Sequence, residues 1–325
     1  MPLCDAVFQG GGVKGTGFAG AIMVLEDAGY QFENIVGTSV GAIVAALLSV
    51  GYTGAEIRDE LMRVDYKMFL DASWPVRKSS MAKMLNVALR WGMYRTDAFE
   101  HWLCGLLEKK GKTHFRHIHT NLQDERYRYK FQAIASDITE RKMLLLPGDL
   151  ATFGINPDDF PISTAVRMSM SLPFYFEPYR LQTNNKEHII LDGGLLSNYP
   201  VWVLDDGTSN PTIPTFGFRF VGGNMSTRKR IYENNLIGFI KAIIATLIAA
   251  WDNRHISESS GDFARTILIP TAITTQGKQR HISTTDFDIT KDEKKQLLEN
   301  GIATAQKFLA NWNFETWKKT YRNST

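Results

Sequence analysis

Apolar positions along the chain fall into short blocks separated by glycine and polar punctuation. Leu3–Phe8 is a largely apolar run that stops in a glycine cluster, as a buried strand does. From Phe18 to Ala28, Ala21, Ile22 and Leu25 recur at helical spacing, and Gly29 follows as a C-terminal cap. Ile35-Val36-Gly37-Thr38 predicts a second strand running directly into Ser39 and an apolar helix, Val40–Val50. Thr53 with Glu56 is a capping-box pattern that opens another helix to about Asp65. Strand, helix, strand, helix within about 65 residues predicts a parallel βαβ unit.

Downstream the pattern loosens. Thr96–Lys110 reads as an amphipathic helix. Tyr127–Ala135 alternates as a strand leading to Ser136-Asp137, and Met143–Leu146 pairs back across the turn. His188–Leu191 is an apolar strand ending at Asp192-Gly193-Gly194, while Phe216–Phe220 and Thr266–Ile269 are further strands. Thr290 and Glu293 repeat the capping box and open a last helix to about Trp312. Asp205–Asn210 is a polar loop insertion. With no internal repeat, 1–325 is expected to form a single domain. The chemistry would lie within 8–200, with a helical part from about 230 to 325 packed on it.

Composition narrows the class without naming a function. Hydrophobic residues make up 44% and charged residues 22%, an ordinary globular balance. Cys4 and Cys104 are the only cysteines, so no disulfide framework is expected and a reducing, cytoplasmic setting is the default. The net charge of +3 suits contact with an anionic membrane surface but is too small to argue for nucleic acid. The opening MPLCDAVFQGGG lacks the basic-then-apolar order of a signal peptide. Val40–Val50 and Leu236–Trp251 both fall short of the roughly 20 apolar residues of a transmembrane helix. The expectation is a soluble protein able to touch membranes peripherally; its oligomeric state is not legible.

Three motifs carry chemistry. Gly37-Thr38-Ser39-Val40-Gly41 is a G-x-S-x-G pattern, which sets a serine on a sharp strand-to-helix turn with glycines relieving the crowding. The helix N-terminus behind it faces developing negative charge. In a chain with 26 glycines the letters alone are weak. The apolar strand before Ser39 and the apolar helix after it make Ser39 a candidate nucleophile.

Gly10-Gly11-Gly12-Val13-Lys14-Gly15 lies between the first strand and helix, where unobstructed N–H groups can converge on an anion. The same letters satisfy the dinucleotide pattern G-x-G-x-x-G twice, as Gly10/Gly12/Gly15 and Gly15/Gly17/Gly20. A dinucleotide site also wants an acid at the end of the second strand. That strand ends in Gly37-Thr38-Ser39, and Glu33 precedes it. No Gly-Lys-Ser/Thr follows at P-loop spacing. An oxyanion hole fits better. Lys14 either adds positive charge there or is a solvated surface residue.

Asp192-Gly193-Gly194 places a carboxylate at a strand's C-terminal end, the side on which open α/β sheets build sites. Alone it is an ordinary turn pair. Its value comes from the other two motifs.

Together GGGVKG, GTSVG and DGG, in this order, resemble the patatin-like phospholipase family. AVRMSMSLPFYFEP (165–178), Ala135-Ser136-Asp137-Ile138, Arg265–Pro270 and Thr285-Asp286-Phe287-Asp288 extend the likeness over nearly the whole chain, toward bacterial members. The resemblance implies a three-layer α/β/α fold with a mostly parallel central sheet. It further implies a lipid acyl hydrolase with Ser39 as nucleophile and Asp192 as general base. The Gly10–Gly15 loop would be the oxyanion hole, through the N–H groups of Gly11, Gly12 and Val13. Gly37 and Gly41 would flank the elbow, and Gly193 and Gly194 would follow the base. Lys14 stands where plant members commonly have arginine, and Gly194 where alanine is frequent. No metal or cofactor is implied, and the substrate is a lipid or membrane surface.

Several residues compete with this assignment. A Ser/Asp/His triad would draw on His255 or His281, both of which read more readily as surface or capping residues. Asp137 could serve as base, or could close a strand-end turn. His114, His117 and His119 beside Arg116 lack the partners of a metal set and read as a basic loop. Leu236, Ile237, Ile240, Ile244, Leu247, Ile248 and Trp251 share a helical face, with a core helix favoured over a lipid-facing lip. Trp74, Met81, Met84, Leu85 and Trp91 lie with Arg77, Lys78 and Lys83 in a stretch read as irregular, either an interfacial cap or half-buried surface. Against the lipid hydrolase stand an esterase or thioesterase on soluble acyl substrates, a nucleotide-binding module, and a catalytically silent lipid-binding protein. The silent reading is disfavoured because all three motifs are intact.

Overall fold

The computed structural model describes residues 1–71, 79–122, 124–183, 186–205, 208, 210–222, 239, 242, 243, 246, 261–275 and 277–322. Its strands are β1 (Leu3–Phe8), β2 (Gln31–Thr38), β3 (Gly92–Tyr94), β4 (Phe131–Asp137), β5 (Lys142–Leu146), β6 (Phe174–Phe176), β7 (Tyr179–Gln182), β8 (Glu187–Asp192), β9 (Thr215–Val221), β10 (Thr266–Pro270), β11 (Ala272–Thr275) and β12 (Lys278–His281). Its helices are α1 (Gly15–Asp27), α2 (Val40–Ser49), α3 (Gly54–Arg63), α4 (Ser80–Arg90), α5 (Asp97–Lys109), α6 (Ile162–Ser169), α7 (Lys291–Asn311) and α8 (Phe314–Tyr321).

The central sheet is α/β in character and mostly parallel. Strands β10, β9, β1, β2 and β4 run side by side in one direction, and β5, β8 and β7 add antiparallel pairings. β1 is buried on both faces, as a central parallel strand must be. Cys4, Ala6 and Phe8 join the main core with α1 and α2, whereas Val7 and Val36 pack against Tyr199, Val201 and Leu204. α2 is buried at every position, which accounts for its being apolar all round.

Both capping boxes form: Thr53 with Glu56 opens α3, and Thr290 with Glu293 opens α7. α1 starts three residues earlier than the spacing predicts. Its Gly20 lies so close to α7 that an added Cβ would sit 2.3 Å from the Leu298 carbonyl oxygen. Close helix packing overrides the poor helix propensity of its glycines. The expected strand from Tyr127 begins only at Phe131, because Glu125–Tyr127 turns as a 3-10 segment under an Asp124 cap. α8, capped by Asn313, was not foreseen from the sequence.

The stretch read as irregular contains a helix, α4, with Ser79 accepting from the Ala82 N–H at its start. Trp74, Arg77, Lys78, His255 and the stripe Leu236, Ile237, Ile240, Ile244, Leu247, Ile248 and Trp251 lie outside the described residues.

β8 departs from the simple parallel picture in a way that builds the site. β4 pairs with β2 over Phe131–Ile134 and with β8 over Ala135–Asp137, while β5 lies along Ala133–Asp137. Since β5 overlaps both pairings along one edge of β4, β2 and β8 must share the other. They meet end to end. Thr38 is level with Ile134 and Asp192 with Ala135, so the C-terminal ends of β2 and β8 face each other at adjacent positions. The carboxylate therefore arrives on an antiparallel strand and not on a parallel one.

Candidate active site

Ser39 occupies the single-residue bend between β2 and α2, with φ 54° and ψ −123°. That left-handed region is costly for a residue bearing a Cβ, and such strain persists only where the surroundings enforce it. The enforcement is visible in the flanking glycines. A Cβ on Gly37 would lie 2.3 Å from the Gly41 carbonyl, and one on Gly41 would lie 2.3 Å from the Phe8 carbonyl. The bend is thus pressed against its own helix and against β1. Ser39 N–H donates to Ser169 Oγ at 3.0 Å, and its carbonyl accepts from Ala42 N–H at 2.9 Å.

Asp192 ends β8, buried. Its Oδ1 accepts from Gly194 N–H at 2.7 Å, and its own N–H donates to the Ser171 carbonyl at 2.9 Å. Burial raises its carboxyl pKa to about 6, against the opposing pull of the Gly194 N–H and of a hydrogen bond with the Ser39 side chain. Ser39 and Asp192 are thus brought together. The α6 end tethers both, through Ser169 to residue 39 and through Ser171 to residue 192.

The glycine loop lies beside them: a Cβ on Gly10 would sit 3.4 Å from Ser39 Cβ. Its amides divide into two groups. Gly10 N–H is committed to the Asn198 carbonyl at 2.9 Å, and Val13 N–H reaches the Thr284 carbonyl at a long 3.4 Å. Gly11 and Gly12 N–H meet no protein acceptor among the described residues. Val13 was expected to donate into the site, yet in this state its N–H is turned to Thr284. Gly15 packs on Val40 at the start of α1. Gly193 approaches the Ile134 carbonyl, and Gly194 caps Asp192.

Gly12 has φ +61°, and an added Cβ would fall 1.9 Å from the Thr284 carbonyl oxygen. Gly12→Ala is therefore expected to displace the loop and to cost about 2 kcal/mol or more of stability from backbone strain and overlap. Thermal melting alongside ester turnover checks this; an alanine variant with unchanged melting temperature and rate would contradict the geometry.

Lys14 is half-buried, 5.1 Å from the Phe220 ring centroid. Burial lowers its ammonium pKa to about 8, partly offset by Asp286. Lys14 is therefore not simply a solvated surface residue; its neighbours are Phe220 and Asp286.

The rival assignments separate. Asp137 accepts from Thr139 and Glu140 N–H and pairs with His188 Nδ1 at 2.9 Å, a strand-end turn. His281 lies on β12 with Thr271 Oγ1 3.4 Å away, and among the described residues no histidine acts on the Asp192 carboxyl. His117 Nδ1 accepts from Thr113 and His114 N–H, and His119 Nε2 meets Asp158 at 2.7 Å. Gly15, Gly17 and Gly20 lie inside α1, so their G-x-G-x-x-G spacing forms no loop.

Asn198 escaped the sequence reading. Its Oδ1 would lie 2.2 Å from a Cβ on Gly10 and 2.9 Å from one on Gly194, so it wedges between the two glycine motifs. The only local signal is the turn-forming Ser197-Asn198-Tyr199-Pro200. Ser169 and Ser171 were likewise missed as individuals.

Comparison with known proteins places this geometry in context. An uncharacterized protein of Bacillus subtilis (strain 168), YqhO, is 35% identical over 95% of this chain and 99% of its own length. A probable lipid hydrolase of Invertebrate iridescent virus 6, 463L, is 25% identical over 60% of this chain and 61% of its own. Among solved structures, VipD from Legionella pneumophila matches with a TM-score of 0.54 at 17% identity, covering 94% of this chain and 66% of that one. The type III effector ExoU matches at 0.51 and 15%, covering 98% of this chain and 54% of that one. This chain thus spans just under two thirds of VipD and about half of ExoU, and these likenesses speak to fold. The sequence model for patatin-like phospholipases matches residues 6–205, the span that holds the glycine loop, the Ser39 bend and Asp192. The chain belongs to the patatin-like phospholipase family, whose shared activity is hydrolysis of lipid acyl esters.

Proposed function

We propose that this protein hydrolyses acyl esters of lipids through a two-residue Ser39/Asp192 dyad. Ser39 Oγ attacks the ester carbonyl carbon while Asp192 takes its proton. The N–H groups of Gly11 and Gly12 stabilise the oxyanion, with Val13 joining only by releasing Thr284; one such donor is worth about 3 kcal/mol of barrier. Asp192 returns the proton to the leaving alcohol. Water then attacks the acyl-enzyme, passing its proton through Asp192 back to Ser39 as the fatty acid leaves.

The observation that carries this reading is the placement of the buried Asp192 carboxyl at the end of β8 in hydrogen-bond contact with the Ser39 side chain, where burial pushes its pKa up to about 6. A carboxylate at its ordinary value is too weak a base to activate serine; desolvation moves it toward the working pH. Close packing of α7 on α1 supports treating 1–325 as one hydrolase domain.

The test is mass spectrometry of fatty acids released from mixed phospholipid vesicles, with Ser39→Ala as blank. Release above the blank supports the proposal. Release from soluble thioesters alone would move the function to the thioesterase reading, and no release from any acyl ester would end it.

A further inference from the structure

α4 is amphipathic the wrong way round for a helix on a folded protein. Its apolar stripe, Met81, Met84, Leu85, Ala88 and Leu89, follows the i, i+3, i+4, i+7, i+8 spacing that normally faces a core. Here that stripe faces outward, with Met81 80%, Leu85 58% and Leu89 69% exposed. The side turned to the protein is mixed: Val87 packs on the core, Lys83 Nζ lies 5.8 Å from the Tyr94 ring centroid, and Asn86 Nδ2 donates to the Met93 carbonyl. Trp91, 47% exposed, ends the helix in a left-handed conformation, φ 63°. Beside it stands Phe174, 41% exposed at φ 61°, because Gly92 of β3 pairs with Phe174 of β6. Two bulky aromatics are thus held outward at adjacent positions.

We propose that α4, Trp91 and Phe174 form the surface by which this protein docks on an anionic phospholipid layer. The inference rests on the hydrolase reading for its purpose, and its geometry is independent of it. Residues 79–96 carry Lys83, Arg90 and Arg95 and no acid, with Arg95 paired to Asp97 just beyond them. Arg180 lies 4.5 Å over the Trp91 ring, and Arg90, Arg167 and Arg180 line, with Glu177, an open cleft of about 440 Å³ at the helix end. Glu177 and Glu187 pair with Arg90 and Arg180 and moderate their charge, so the apolar stripe supplies most of the attraction. Apolar side chains enter the acyl boundary, aromatics settle at the headgroup level, and cations reach phosphate.

A second copy of the chain fits this face less well. Eleven residues of helix span about 16 Å, and the stripe with Trp91 and Phe174 offers seven side chains, against the roughly 20–30 residues and 800 Å² that each partner brings to a stable dimer. A lipid layer demands no matching shape. The position also serves the site: Phe174 lies three residues beyond Ser171, whose carbonyl holds the Asp192 N–H. Docking there sets the substrate layer next to the segment that tethers Ser39 and Asp192.

The experiment is co-sedimentation of full-length protein with 3:1 phosphatidylcholine/phosphatidylglycerol vesicles. It uses a Ser39→Ala background, so binding is read without lipid turnover. Adding Leu85→Glu and Leu89→Glu is expected to lower the partition coefficient at least tenfold, with an unchanged circular dichroism spectrum. Should that pair disturb folding, Met84→Gln with Leu89→Gln provides a milder loss in the same direction. Unchanged sedimentation by either folded pair overturns the proposal. So does light scattering that shows a dimer dissociated by these substitutions. Serine labelling by a fluorophosphonate, measured without vesicles on proteins retaining Ser39, reports the hydrolase separately: its absence with sedimentation intact sinks the hydrolase and leaves the docking surface standing.

Discussion

Ester hydrolysis is expected to fall by about 10⁴-fold or more in Ser39→Ala, since removing the nucleophile leaves only binding and oxyanion stabilisation. Fluorophosphonate labelling should vanish with it. Ser39→Gly offers a sharper version. It too lacks the hydroxyl, but it relaxes a residue held at φ 54°, ψ −123°, a conformation glycine adopts freely. Relief of strain of about 1–3 kcal/mol, less the greater backbone freedom of glycine in the unfolded chain, should leave Ser39→Gly more stable than wild type by about 1 kcal/mol. Thermal melting compares the three proteins. Activity within tenfold of wild type in either variant would reassign the nucleophile. Glycine melting below alanine would mean that the bend stores no strain.

The first half of the site was legible because its signals are local. An apolar run, a glycine cluster, a helical repeat and a second apolar run into Ser39 follow one another in sequence and in space. The capping boxes at Thr53 and Thr290 read equally well, since each is complete within four residues. Strand direction is another matter. Nothing in His188–Asp192 tells whether the strand runs with or against its neighbours, and the end-to-end meeting of β2 and β8 depends on β5 occupying the far edge of β4. Asn198, Ser169 and Ser171 act through contacts with residues far away in sequence, so their roles had no local trace. α4 failed for a different reason. Its helical spacing was present, but basic residues on both sides of it obscured the period, and the outward stripe inverts the usual link between apolar and buried.

Asp192→Asn is expected to cut turnover by about 10³–10⁴-fold while making the protein more stable at neutral pH, because the carboxylate serves chemistry at the expense of the fold. In the folded protein burial holds its pKa at about 6, above the ordinary value of 3.8. The folded state therefore keeps a proton that the unfolded chain releases between pH 3.8 and 6, and stability declines as pH rises through that window. Above pH 6 both states are ionised and the loss is complete, about 3 kcal/mol for a shift of this size. Asparagine keeps an oxygen for the Gly194 N–H and carries no charge to desolvate. Its melting temperature should exceed that of wild type at pH 7–8, and the difference should shrink toward zero as pH falls to about 4. Activity runs the other way. Wild-type kcat/KM should rise about tenfold per pH unit below 6 and level off above it, as the base ionises. A difference in melting temperature that persists unchanged at pH 4, or a rate flat from pH 4 to 8, would show that Asp192 is not the titrating base and that another group takes the serine proton.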